Sequence, residues 1–298
     1  MKTILAALCM ALAATGAFAQ SNDGARSEMG QALEAAKKVA VAGPAEVKLI
    51  DQAMLQLPPG MVYIPPAEAG RLLVAMGNRS GEGMLGMVVT PAPDADWFVV
   101  MRFVKSGYIK DDDAKDWKTD ELLANLKQGT EETNKDRRGR GIAEVEILGW
   151  VEAPKYDATT HRLVWSLSSK EKGAPADAER GVNYNTYALG RDGYISMNLV
   201  TALKKIDAER PVAHTLLAAL QYNGGKQYGD FNSATDHVAE FGLAALVGGV
   251  AAKKLGLFAV LFAFLAKFAK VIGIAAIALV ALLARLFRRK TTQQPPAA

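Results

Sequence analysis

The sequence predicts an α+β fold, a mainly antiparallel sheet with a few helices, followed by a C-terminal transmembrane helix. Three observations carry that expectation. Strand-like runs cluster between residues 46 and 200 with only occasional helical stretches between them. An apolar run spans residues 268–287 near the end of the chain. A shorter one, Ile4 to Ala14, stands behind Met1 and Lys2 at the start.

That opening run precedes Ala17-Phe18-Ala19, so residues 1–19 have the charged start, apolar centre and small-x-small site of a cleavable secretory signal. The run is too short to span a bilayer as an anchor. The only cysteine, Cys9, lies inside it, and Leu8 before it is too large for a lipid-attachment site. The mature chain therefore lacks disulfides, thiolate metal sites and thiol nucleophiles.

Residues 20–240 form the expected exported, periplasmic domain. The Ala/Glu/Lys-rich stretch from Gln20 to Val41 reads as a loosely held helix ending at Gly43-Pro44. "EVKLI" and "MVYIPP" read as short strands, with "LPPG" as a turn between apolar segments. Residues 67–76 fit a short helix, and "LGMVVTP" a strand. In "DWFVVMRFVKSGYI" Trp97, Val99, Met101 and Phe103 share one strand face.

A helix is expected from Asp116 to Arg137, with Asp111, Asp112 and Asp113 as solvated acids favoured near its start. Leu122, Leu123 and Leu126 supply its apolar stripe, and "NKDRRGRG" its stop. "IAEVEILGWVE", "HRLVWSLSS" and "VNYNTYALG" read as further strands, the last joined to "YISMNLV" through the Asp192-Gly193 hairpin signal. A helix from Glu209 to Leu220 then precedes the irregular "QYNGGKQYGDFNS".

The overall charge of +4 belongs to the tail. All eight basic residues from Lys253 onward lie there, and no acidic residue follows Glu240. Setting those eight and Lys2 aside leaves 26 basic against 31 acidic residues, about −5 for residues 20–240. An acidic exported body is a poor nucleic-acid binder, since that affinity comes chiefly from phosphate neutralisation.

A helix of about 20 residues crosses the hydrocarbon core. Residues 268–287 supply it, with Lys270 and Arg285 near the ends, where long basic side chains snorkel. Arg288-Arg289-Lys290 then opens a cytoplasmic basic tail, residues 288–298, as the positive-inside rule asks. A second crossing would put Lys253 and Lys254 near a span centre, at about 2.5–3.5 kcal/mol each. One crossing is therefore expected, in the bacterial inner membrane. Ser233 and Asp236 resemble a helix-capping pair before the small, apolar segment 241–266. That segment reads equally as an interfacial helix or as a packed core helix.

No motif supplies a reaction. "GEGMLG" matches Gly-x-Gly-x-x-Gly, but a strand-like run follows where the dinucleotide fingerprint needs a helix. Gly224-Gly225-Lys226 reads as a turn, and His161, His214 and His237 lack paired ligand spacing. From Asp111, the sixth and twelfth positions of a calcium loop would hold Asp116 and Leu122, so that reading fails. No cofactor and no metal site is expected. Two polar-aromatic stretches suggest recognition instead: Tyr184, Asn185 and Arg191 in one, Tyr222, Asp230 and Asn232 in the other. The competing reading is ordinary packing with locally bonded hydroxyls. On a strand, Tyr184 and Tyr187 would point to opposite faces.

"LPPGMVYIPPAEAGRLL", "GYIKDDDAKDWKTDELLANLKQGTEETN", "YDATTHRLVW", "NYNTYALGR" and "YGDFNSATDHVAEFGLAALVGG" occur in this order. Together they resemble a family of bacterial membrane-anchored proteins catalogued as domain of unknown function number 2167. The resemblance runs from Gln56 to Lys290 and implies an exported domain tethered by a C-terminal membrane segment. It implies no activity, substrate or catalytic residue. The expectation is thus an envelope protein, anchored in the lipid bilayer, that binds an envelope protein or component or a second copy of itself. The alternative is an envelope hydrolase whose Asp and Glu residues meet only in the fold.

Overall fold

The computed structural model describes residues 19–76, 78, 81–92, 97–139, 141 and 143–248. The 1–18 part of the signal segment, the apolar run at 268–287 and the tail lie outside them, as does 241–266 beyond Gly248. No helix among the described residues is long and apolar enough to cross a membrane.

The chain begins with helix α1 (Ala19–Val39) and strands β1 (Val41–Ala42), β2 (Ala45–Leu49), β3 (Ala53–Leu57) and β4 (Val62–Ile64). Helix α2 (Pro66–Ala75) leads to β5 (Met84–Val89) and β6 (Phe98–Val104). Helix α3 (Thr119–Gly139) is followed by β7 (Val145–Asp157), β8 (Arg162–Glu171), β9 (Gly181–Leu189) and β10 (Tyr194–Ala202). Helix α4 (Ile206–Ala219), β11 (Leu220–Tyr222) and the short helix α5 (Ala244–Gly248) complete the order.

Eight strands pair antiparallel in the order β1-β4-β5-β6-β10-β9-β8-β7, and a second sheet pairs as β11-β3-β2. This α+β, antiparallel architecture is the one expected. Strands β5, β9 and β10 of the large sheet are buried on both faces, whereas β7 at its edge is largely half-buried. On one face, Val99, Met101, Tyr184, Ile195 and Leu199 meet the small sheet and the Leu216 and Leu217 side of α4. The other face carries two separate cores. Helices α1 and α2 cover Ile64, Met87, Phe98 and Val100, whereas α3 and α5 cover Ile147, Leu163, Trp165 and Leu167. Trp97, Val99 and Met101 do share a face, but Phe98 and Val100 opposite are just as deeply buried.

Several local expectations need correction. The helix expected from Asp116 begins at Thr119, because Asp112–Asp116 form a 3-10 turn. Its buried line runs Leu122, Leu126, Thr130, Asn134 and Arg137. Asn134 bonds both backbone groups of Val145, Nδ2 to O at 2.8 Å and N–H to Oδ1 at 2.9 Å, and so sets where β7 starts. Helix α4 starts at Ile206, three residues before Glu209. Ser233 and Asp236 start no helix, since the Asp236 carboxylate is engaged by Arg191. The acids before α3 are not simply solvated. Asp113 instead accepts the N–H groups of Leu243 and Ala244, at 3.1 and 2.9 Å, and caps α5 from about 130 residues away in sequence. Gly242 is required there, because a Cβ would stand 2.6 Å from Asp113 Oδ2.

Two of the three glycines of "GEGMLG" flank a bulge. Gly83 and Gly86 have φ of 69° and 130°, and the β5–β6 register shifts between Met84 and Gly86. A phosphate has no helix N-terminus here, since β5 follows directly.

Candidate recognition site

One end of the large sheet gathers the polar and aromatic loops. They are the stretch after β6, the β7–β8 and β9–β10 turns, the β2–β3 turn and the loop after β11.

Four of the six residues singled out from sequence meet there: Arg191, Tyr222, Asp230 and Asn232. Arg191 holds Asp236 with Nε to Oδ2 and Nη2 to Oδ1, both 2.7 Å. This fork geometry is the strong form of an arginine–carboxylate bond. The guanidinium, and next the Asn232 N–H at 2.7 Å, hold the Asp236 carboxyl well below the usual carboxylate range. Asp230 takes the Gln227 N–H at 2.8 Å, and Asn232 Oδ1 takes that of Ala234 at 3.0 Å. Lys226 sits between Asp192 at 2.6 Å and Asp51 at 3.4 Å, and bonding to Asp192 raises its ammonium. Tyr222 lies beneath, its hydroxyl donating to Ala188 O at 2.8 Å and accepting the Ile195 N–H at 3.0 Å. Gly190 makes room, because a Cβ would meet the Tyr222 ring at 2.6 Å.

Tyr184 and Asn185 do not join this cluster. Both lie in the middle of β9, a strand buried on both faces. Tyr184 points into the first core and Tyr187 into the third, on opposite faces. The Tyr184 hydroxyl donates to Glu152 Oε2 at 2.6 Å and lies 2.8 Å from His214 Nε2. Burial pushes the Glu152 carboxyl up, but bonds from Tyr184 and Lys155 outweigh it, and the net displacement is downward. Asn185 spends its amide on Asn183 O at 3.3 Å.

From sequence, Phe231 and Tyr108 carried no signal and His161 no role in the site. Phe231, Tyr108, Tyr228 and His161 stack in series, with ring centroids 3.9, 4.4 and 4.0 Å apart. Tyr228 is buried and anchors the stack by donating to Ile109 O at 2.7 Å, while the other three are partly exposed. Tyr156 closes the far end. Its hydroxyl donates to Asp111 Oδ2 at 2.6 Å and lies 3.0 Å from His161 Nδ1. A phenol has one proton, so with that proton on Asp111 the donor in the second bond is the His161 Nδ1–H. Burial, then the Asp111 carboxylate, drive the Tyr156 hydroxyl pKa upward.

The His161 backbone is left-handed, with φ of 52°. Asp157 builds the turn by accepting the Thr159 N–H at 2.8 Å and the Thr160 hydroxyl at 2.7 Å. "YDATTH" thus held the one local signal, an Asp two and three residues before Thr in a turn. Nothing in it foretold that Asp111, 45 residues away, would meet Tyr156. Among the described residues no group of three His, Cys, Asp or Glu side chains is placed to hold a metal ion.

Fold and site together define an α+β protein with an aromatic, ion-paired loop cluster at one sheet end. A family model described as "Protein of unknown function (DUF2167)" matches residues 41–278, and the chain belongs to that family. No curated protein matches the sequence. The chain is similar to cyanobacterial PsbP (CyanoP) from Synechocystis, with 9% identity, 62% of this chain and 91% of that one covered, and a TM-score of 0.36. It is also similar to the Ran-binding protein Mog1p of Saccharomyces cerevisiae, with 11% identity, coverage of 64% and 100%, and a TM-score of 0.34. At these scores the likenesses carry no weight for what the chain does.

Proposed function

We propose that the chain is an envelope protein, exported and then anchored by residues 268–287 in the bacterial inner membrane, with its domain periplasmic and its tail cytoplasmic. The domain binds a protein or envelope component through the loop cluster at the sheet end. The two apolar ends of the sequence and the basic tip at Arg288-Arg289-Lys290 support the location.

One observation carries the binding reading: the stack from Phe231 to His161, partly exposed and rimmed by Arg191–Asp236 and Lys226–Asp192. Pre-packed aromatic rings within a polar rim are the features that anchor protein interfaces. A hydrolase would want a carboxyl held above its usual range as a general acid. Glu152, Asp51, Glu144, Asp157 and Asp236 are all displaced the other way. None of these five carboxyls is therefore poised as a general acid.

The test is cross-linking in intact cells followed by purification of the wild type and of Phe231→Ala/Arg191→Ala. The reading predicts a partner recovered with the wild type and lost with the variant. Equal recovery of the same partner with both would contradict it.

A further inference from the structure

A second surface lies away from the sheet end. Helices α1 and α2 leave between them a groove of about 730 Å³ with a small, apolar floor that includes Ala32, Ala35 and Gly70. On α1 the groove is lined by residues 28, 31, 32 and 35, a single helix face. Val39 extends that row by one more turn, and Val41 follows in the edge strand β1. Val39, Val41 and Val74, the last from the α2 wall, are 42%, 39% and 53% exposed. They are three of the four large apolar side chains that stand exposed among the described residues. Glu28 on one wall and Arg71 on the other form no ion pair within the described chain. The charges at the sheet end, in contrast, are paired.

We propose that this groove docks a second copy of the chain across a two-fold axis. An isologous interface uses the same patch on both subunits, so the patch must complement itself. One acid and one base on opposite walls meet that requirement. The rotation sets Glu28 against Arg71 of the partner subunit and repeats the pair on the other side. The valines and the small-residue floor lie between the two pairs, where they lose contact with water. A ligand of one charge would leave the opposite wall unsatisfied. The short edge strand β1, with one side unpaired among the described residues, continues the same surface.

The experiment uses the full chain in nanodiscs or mild detergent, with mass read by sedimentation velocity. The wild type is expected to be dimeric at micromolar concentration. Glu28→Arg and Arg71→Glu should each weaken the dimer tenfold or more. The double variant should restore it, because both pairs re-form with reversed sense, and it also shows that the single variants lost contact and not their fold. A self-associating membrane segment would be blind to these reversals. A monomeric wild type, a dimer indifferent to both single reversals, or a double variant that stays monomeric would each overturn the proposal.

Discussion

Arg191 and Asp236 are joined by two parallel bonds of 2.7 Å that tie the β9–β10 turn to the loop after β11. The Asp236 carboxyl is held low by that guanidinium first and by the Asn232 N–H second. A folded-state value below the unfolded one contributes stability that is present above about pH 4 and lost as pH falls toward the folded value. Wild-type stability should therefore decline below about pH 4, and Asp236→Asn should show a shallower decline. Chemical denaturation at a series of pH values measures both. An unchanged acid limb in the variant would show that the pair does not contribute.

Asp113 secures the point where the described chain ends. Removing a helix N-cap costs about 1 kcal/mol. Asp113→Ala should release the Leu243 and Ala244 amides to hydrogen exchange while those of β9 and β10 stay protected. Gly242→Ala should do the same by a different route, since its new Cβ would collide with the Asp113 carboxylate at 2.6 Å.

Tyr184→Phe tests the buried bond to Glu152. The loss of one hydroxyl donor to a partly buried carboxylate should cost about 1–3 kcal/mol in a urea melt. It should also move the Glu152 carboxyl upward, because burial raises it and the Tyr184 bond is among the contacts that hold it down. Carbon-detected titration of that side chain reads the direction. A downward movement would contradict the assignment.

Two non-glycine residues among those described are left-handed, and they should respond differently. Ile50, with φ of 51° and 46% exposed, is β-branched where the conformation is least tolerated. Ile50→Asn should stabilise the domain by about 0.5–1 kcal/mol. His161→Asn keeps a residue that accepts the conformation but removes the ring from the stack and the bond to Tyr156. It should leave the melting temperature within a few degrees and abolish partner recovery. Full recovery with His161→Asn would remove His161 from the site.

The large sheet's main strands were legible as elements, though not their order, because local patterns encode them. "LGMVVTP", the β6 run and the Asp192-Gly193 turn each carry their own period or turn signal. The small sheet was less so, because "AMLQL" is five residues long and β11 only three, too short to show a pattern. Tyr184 and Tyr222 look alike in sequence, both beside asparagine. One is buried in a central strand, whereas the other braces a turn. The contacts that build the site bridge long separations. Tyr228 bonds Ile109, Asp113 bonds Ala244, and Asp51 meets Lys226. Such pairings depend on the strand order as a whole, and no window of neighbouring residues contains them.

The recognition claim is tested most directly by placing a photo-cross-linking amino acid at Phe231, and separately at Lys48 on the outer face of the small sheet, in intact cells. Adducts with a discrete envelope partner from position 231, and none from 48, are the expected result. Absence of adducts at 231, or equal labelling from both positions, would contradict the assignment of the stacked rings as the binding surface.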